Sequence, residues 1–298
     1  MTEADIPFQK EMRFDYGRAG AVAPGVRRIV CNNPGPFTFH GTNSYVVGEG
    51  EVAVIDPGPD DADHVEALRR AVAGETVSHV IVTHTHIDHS PATRAFARAV
   101  GAPIVGALPA PPADGEPPME AADRDFEPDI HLADGAAIAG PGWTLTPVFT
   151  PGHMSNHHCF ALAEGGILFS GDHVMGWNTT IVSPPDGDMG DYLRSLEVCI
   201  AREDALYLPG HGPPIERPRP FVRAYLKHRR MREGQILRCL EDGQATVPEM
   251  VGRMYAHLPE RMRWAAGRSV LAHLEHMVET GRIACDGPPA AGARYRLP

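Results

Sequence analysis

Along residues 25–218 short apolar runs alternate with stretches of helical spacing, a pattern that predicts an α/β architecture. GTNSYVVGEG and EVAVIDPG read as two strands joined through Gly48-Glu49-Gly50 and closed at Asp56-Pro57-Gly58, a hairpin that opens the fold. DDADHVEALRRAVAG then places Val65, Leu68 and Val72 at helical spacing, with Asp60 or Asp61 as N-cap and Gly74 as terminator. SHVIVTH predicts a buried strand, and SPATRAFARAVG a helix with Ser90 as N-cap and Pro91 at its first position. The segment THTHID therefore falls in a loop between a strand's carboxyl end and a helix start. WTLTPVFT is a further strand, HCFALAEGGILFSGD a hairpin turning at Glu164-Gly165-Gly166, and ALYLPGHGP a short strand and loop. His153, Asp172 and His211 each follow one of these strand ends.

From about residue 219 the period becomes helical. FVRAYLKHRRMREGQILRCLEDG, VPEMVGRMYAHL and ERMRWAAGRSVLAHLEHMVETG predict three helices, and RIACDG and ARYRLP two short strands around a Gly/Pro/Ala turn, together a winged-helix pattern. Two domains, residues 1–218 and 219–298, suit a chain of 298 residues. Leu237, Leu240, Val251, Met254, Leu258, Val270, Leu271, Leu274 and Val278 are the tail's expected core, or in part a face for a second copy in a homodimer.

Composition narrows the class. A chain 43% hydrophobic and 22% charged is ordinary for a folded globular protein, so disorder is not expected. Cys31, Cys159, Cys199, Cys239 and Cys285 are widely spaced with no CxxC pair, which argues against a disulfide framework or zinc finger. MTEADIPFQKEMRFDYGRAG has neither a basic leader nor an apolar core, so no signal peptide or membrane anchor is expected and a cytoplasmic location is. Charge is divided: residues 1–218 hold 13 Lys and Arg against 30 Asp and Glu, and residues 219–298 hold 14 against 8, so only the tail is basic. Residues 107–129, with six prolines and no periodicity, read as a surface excursion or as a lid over a site.

The densest chemistry is Thr83-His84-Thr85-His86-Ile87-Asp88-His89, three imidazoles and a carboxylate within six positions. Alternate side chains of an extended loop point the same way, so His84 and His86 can grip one ion while Asp88 and His89 turn toward another. Histidine with carboxylate suits zinc, and iron, manganese or cobalt would also be accepted.

Together with TPGH at 150–153, SGD at 170–172 and PGHG at 209–212, this motif resembles the metallo-β-lactamase superfamily over residues 25–218. The resemblance implies a four-layer αββα sandwich with two metal ions, zinc by expectation, at one edge of its sheets. His84, His86 and His153 would hold the first ion, Asp88, His89 and His211 the second, and Asp172 would bridge them. Asp56 resembles the family's buried aspartate that orients ligands, and His157, four residues after His153, would support a ligand or simply be buried. His173 is expected to point away from the metals, and His40 is a candidate for the site mouth. Two adjacent cations would ionise a shared water, and the resulting hydroxide would attack an ester, thioester or lactone, with Asp88 as the catalytic residue that orients it and passes its proton on.

FTFHGTNSY, GDHVMG, PGHGP and the C-terminal helices extend the resemblance to the β-lactamase-like protein 2 group, which pairs this fold with a winged helix and includes a single-strand-selective endoribonuclease. A small acyl substrate and RNA are therefore the two candidate partners. A nuclease needs a basic track, and Arg219, Arg223, Lys227, Arg229, Arg230 and Arg232 crowd the first tail helix. The acidic catalytic part and an aromatic content of only 7% favour the small-substrate hydrolase. A β-lactamase is the weaker alternative, since no export signal is read and an aspartate at 172 belongs to the hydrolase and nuclease branches. A DNA-binding metal sensor would have no need of seven ligands around an open site.

Overall fold

Alternate residues of one hairpin face two different cores. In the computed structural model, which describes residues 6–111, 119–133 and 135–298, β3 (Asn43–Glu49) and β4 (Glu51–Ile55) pair antiparallel around Gly50. Tyr45, Val47, Ala53 and Ile55 point one way, against Phe160, Phe169 and Leu208 of a second sheet. Val46, Val52 and Val54 point the other way, against helices. This period of two, with both faces apolar, makes the sheet an inner layer.

The first sheet runs in chain order through β1 (Gly20–Ala23), β2 (Val26–Val30), β3, β4, β5 (Thr76–Ile81), β6 (Ile104–Gly106) and β7 (Ile130–His131). Pairing is antiparallel as far as β4 and parallel from β4 to β7. In the second sheet β8 (Ile138–Gly140), β9 (Trp143–Phe149), β10 (His158–Leu162) and β11 (Ile167–Gly171) are antiparallel neighbours, and β12 (Leu206–Pro209) joins β11 in parallel. Helices α1 (Ala62–Ala71) and α2 (Thr93–Val100) cover the first sheet, through Ala67, Leu68 and Phe96. Helices α3 (Met189–Ala201) and α4 (Pro218–Glu241) cover the second, through Tyr192, Leu196, Phe221 and Tyr225 against Leu168 and Tyr207. The expected four-layer αββα sandwich is the result.

Contact between the sheets is close enough to constrain single residues. Gly48 lies at φ 103° with the Trp143 ring 2.5 Å from where a Cβ would stand, so this strand position takes only glycine without displacing the indole.

Three local readings differ from expectation. The β3–β4 hairpin does not open the fold: β1 and β2 precede it, joined at Pro24-Gly25, and β1 is too short and too exposed to show a clear apolar alternation. Helix α2 begins at Thr93 rather than at Pro91, because the Ser90 hydroxyl bonds to the Asp123 carboxylate at 2.9 Å instead of capping the helix. Helix α3, whose Asp188 side chain accepts from the Asp191 amide, occupies a stretch not singled out by pattern.

At the C-terminus, α5 (Val247–Met254), α6 (Glu260–Glu279), β13 (Ala284–Cys285) and β14 (Tyr295–Arg296) build the expected winged helix around Met250, Val251, Val270, Leu271, Leu274 and Met277. Of the remaining tail positions expected there, Leu237, Leu240, Met254, Leu258 and Val278 pack partly buried against this core. Helix α4 belongs to both cores, giving Phe221 and Tyr225 to the sandwich and Ile236 and Cys239 to the winged helix. Its basic residues divide as well: Arg219, Arg223, Lys227 and Arg230 are exposed, whereas Arg229 and Arg232 are buried. Among the described residues no helix is long and apolar enough to cross a membrane.

Helix α1 buries His64 against β3. The Ser44 hydroxyl donates to the Asp56 carbonyl at 2.5 Å, so it accepts from His64 Nε2–H at 2.8 Å and sets Nε2 as the ring's donor nitrogen. Burial lowers His64 to about 4, Asp61 opposing weakly. A neutral histidine in the folded chain and an ordinary one, near 6.5, in the unfolded chain means stability is lost as pH falls from about 6.5 toward 4. Urea unfolding should therefore show His64→Gln losing about 1–2 kcal/mol less than the parent between pH 7 and pH 5; equal losses would mean that His64 does not titrate this way.

Candidate metal centre

All seven expected ligand residues meet at the end of the two sheets where β5, β11 and β12 finish. Three groups, each offering one atom per residue within 4.8 Å of the others, can be drawn among them: His84, His86 and His153; His84, His89 and Asp172; Asp88, His89 and His211. Loop 83–89 leaves β5, the loop carrying His153 leaves β9, and Asp172 and His211 follow β11 and β12.

In the first group the inner ring nitrogens nearly touch. His86 Nδ1 is 3.1 Å from His84 Nε2 and 3.0 Å from His153 Nε2. Burial, with the neighbouring imidazoles, holds His84 and His86 well below the usual histidine range, His86 at about 3, so both present lone pairs. The outer nitrogens are anchored, His84 Nδ1 at the Thr83 hydroxyl (2.9 Å) and His153 Nδ1 at the Ile181 carbonyl (2.7 Å). Neutral rings, two of them turned inward by a partner behind, are the arrangement of metal-binding histidines.

In the third group His211 Nε2 lies 3.1 Å from Asp88 Oδ2, with His89 Nε2 3.2 Å away, and Asp172 Oδ2 of the middle group stands 3.2 Å from the same His211 nitrogen. Burial opposes charge on His211, yet Asp172 and Asp88 hold it up at about 10, and His89 is raised in the same way by Asp88, Asp172 and Asp56. Asp172 lies between the groups, 3.6 Å from His89 and 3.8 Å from His153. Its Oδ1 is buried without a hydrogen-bond partner, an acceptor left over for a cation. Gly210 makes this approach possible, since a Cβ there would stand 2.3 Å from Asp172 Oδ1 and 2.7 Å from His89 Cε1. The donor set, five imidazoles and two carboxylates, fits zinc and also iron or manganese.

Behind these groups, Asp56 accepts from the Thr83 amide and hydroxyl, both at 2.8 Å, and meets His89 Nδ1 at 3.0 Å. It is one of two described non-glycine residues with positive φ, at 50°, a conformation held in place by these bonds. His157 does not reach the centre; its Nε2 accepts from the Asp172 amide at 3.2 Å and its Nδ1 meets Thr150 Oγ1 at 2.9 Å. His173 turns away, packed on Tyr192 with ring centroids 5.0 Å apart. His40 sits among Phe14 and Phe39 rather than at the cleft, and the neighbouring Gly41 carbonyl, 3.2 Å from His211 Nδ1, is what touches the site.

A narrow cleft leads to His86 and His153. One wall is segment 119–124, with Met119, Glu120 and Arg124, and the other is 181–187, with Ile181, Ser183 and Asp186. The first wall is fastened to the metal loop by the Ile87 amide on the Ala121 carbonyl (3.1 Å) and the Asp123 amide on the Thr85 carbonyl (2.7 Å). Part of the proline-rich excursion thus lines the site, while residues 112–118 lie outside the described residues. Supports not foreseen are Thr180, whose hydroxyl reaches the Asp172 carbonyl at 2.8 Å, and Asn43, whose amide holds the Pro209 and Gly212 carbonyls at 2.9 Å. Most act on or through backbone carbonyls, which leave no mark in a sequence. Asn43, within the TNSY run, was the detectable one.

Comparison with known proteins places this geometry. The sequence profile of the Metallo-beta-lactamase superfamily matches residues 37–211, and that of the Beta-lactamase associated winged helix domain matches residues 246–288. The chain is 31% identical to the Beta-lactamase-like protein 2 homolog of Caenorhabditis elegans, over 88% of this chain and 87% of that protein. It is 30% identical to the Atrochrysone carboxyl ACP thioesterase of Aspergillus fumigatus, over 82% of this chain and 78% of the other. A crystal structure of a metallo-beta-lactamase family protein from Thermus thermophilus superposes with a TM-score of 0.76 at 25% identity, covering 93% of this chain and all of that one.

Binding a cation through His211 and His89 requires their protons to leave. With Asp172 and Asp88 holding His211 at about 10, zinc added at pH 7.5 should release about one to two protons per chain, and affinity should climb with pH toward that value. A weakly buffered titration with a pH indicator measures this; zinc uptake without proton release would contradict the charge state derived for the pocket.

Proposed function

The chain belongs to the metallo-beta-lactamase superfamily of hydrolases, and from that premise we propose that it is a dinuclear zinc enzyme that hydrolyses an activated acyl bond, a thioester by preference, in a small substrate. His84, His86 and His153 would hold one zinc ion and Asp88, His89 and His211 the other, with Asp172 as a ligand shared between them; the same donors would accept iron or manganese. The observation that carries the reading is the pair of inward-facing ligand groups on either side of Asp172.

When bound, a pair of divalent ions supplies Lewis acidity toward the acyl carbonyl and toward the water consumed. The Asp88 side chain is the most open of the three site carboxylates, 18% exposed against 6% for Asp172 and 2% for Asp56. It would take up the proton of the attacking water. Asp56 is committed to Thr83 and His89, so it orients rather than reacts. Met119 and Ile181 give the acyl group apolar walls.

The thioester preference draws on leaving-group chemistry and on charge. A thiolate, with a thiol pKa near 8.5, departs without a proton donor, whereas the alkoxide leaving in RNA cleavage is far more basic. Arg124 is the single lysine or arginine among the described residues lining the cleft, which gives no basic track for a polyanion. The Aspergillus fumigatus relative is named as a thioesterase.

Zinc-loaded protein tested in parallel on a short-chain acyl thioester, a lactone, nitrocefin and labelled single-stranded RNA should turn over the thioester fastest. Asp88→Asn should lower kcat on it by about 10²–10⁴. RNA cleavage that is lost in Asp88→Asn, with the acyl substrates untouched by either protein, would replace this reading with a nuclease.

A further inference from the structure

Arg229, in the middle of α4, is 2% exposed, and among the described residues no carboxylate lies within ion-pair distance of it. A guanidinium buried without a counter-charge is costly, and its neighbours His228, Arg232 and His273 do nothing to offset it. It stacks over the Tyr192 ring, 5.0 Å from the centroid, and its Nη2 donates to the Thr180 carbonyl. Thr180 in turn shares its hydroxyl hydrogen between the Asp172 carbonyl at 2.8 Å and the His173 carbonyl at 3.0 Å. The next residue, Ile181, offers the carbonyl that sets the tautomer of His153. One backbone stretch thus supports two expected ligands, and it is fastened from the C-terminal side of the molecule.

A second fastening lies three residues on. Arg268 of α6, 4% exposed, donates from Nε to the Ser183 hydroxyl at 3.1 Å and from Nη2 to the Pro184 carbonyl. Ser183 and the following Pro185 and Asp186 line the cleft, whereas none of them supports a ligand residue. The Tyr225 hydroxyl holds the start of the same segment, accepting from the Met175 amide at 3.2 Å and reaching its carbonyl at 2.6 Å.

We propose that the C-terminal helices are a working part of the active site: Arg229 positions the backbone that orients Asp172 and His153, and Arg268 sets the cleft wall that receives the substrate. Both are positioning residues with separable effects, and the assignment rests on the zinc hydrolase reading above. It also gives the winged-helix unit a task that requires no nucleic acid.

The separation can be measured. Arg229→Met should weaken zinc binding about 10–100-fold in a chelator competition, and Arg229→Lys, which keeps one donor and the charge, should recover part of it. Arg268→Met should leave zinc affinity within twofold and raise KM for the acyl substrate severalfold with kcat little changed. Arg282→Met, which breaks the 2.5 Å pair with Glu233 inside the C-terminal unit, is the control and should change neither. Hydrogen exchange on zinc-free protein reads the clamp independently of metal: amides of residues 175–184 should exchange at least tenfold faster in Arg229→Met than in the parent. Where Arg229→Met does not fold, Thr180→Val keeps the volume and the carbonyl that Arg229 meets but removes the next link, from the Thr180 hydroxyl to the Asp172 and His173 carbonyls, and should weaken zinc binding and speed the same amides.

Unchanged exchange in 175–184 together with wild-type zinc affinity would overturn the role of Arg229, and an unchanged KM in Arg268→Met would overturn that of Arg268. A parent protein that binds no zinc, yet shows the faster exchange in Arg229→Met, would remove the hydrolase reading and leave the clamp standing.

Discussion

Negative charge confined in a dry pocket is the constraint around which this protein is organised. Asp88 and Asp172 lie against His89 and His211, and Asp56 against His89, with Asp56 and Asp172 almost closed to water and Asp88 only partly open, so their charge must be matched by positive charge close at hand. Protons on His89 and His211 meet part of that demand. Divalent ions would meet it more fully, because they would also engage the lone pairs of His84, His86 and His153, which burial keeps free of protons. The surrounding bonds serve the same end: Thr83 steadies Asp56, Asp56 turns His89, and the Gly41 and Ile181 carbonyls turn His211 and His153.

How much of this the chain announces follows from what kind of group makes each contact. The HxHxDH run and the isolated His153, Asp172 and His211 were legible because such residues gather at strand ends for few other reasons. The layers were legible too, since β3 and β4 are apolar on both faces and α1 shows a plain cap and period. Short edge strands such as β1 and β7 were not, because two to four half-exposed residues carry no period. Nor was the start of α2, where a tertiary partner, Asp123, takes the hydroxyl that local rules give to the helix.

The basic first tail helix shows the limit most plainly. Read as composition, its six cations form one cluster; folded, four face outward and two turn inward, and the inward pair includes Arg229 on the Thr180 carbonyl. No count of charges separates these roles, because the distinction depends on which side of α4 meets α3 and the second sheet. The same packing makes α4 continuous between the sandwich and the winged helix, so the two units share a helix and, through Arg268 and Arg229, one wall of the cleft.

The central claim is that the seven residues together hold two cations with Asp172 between them. Diffraction from zinc-grown crystals, with anomalous data on either side of the zinc absorption edge, tests it most directly. The account predicts two peaks about 3.5–4 Å apart, one among His84, His86 and His153, the other among Asp88, His89 and His211, each within bonding distance of Asp172. A pocket without an anomalous peak, or a single ion with Asp172 turned away, would contradict it.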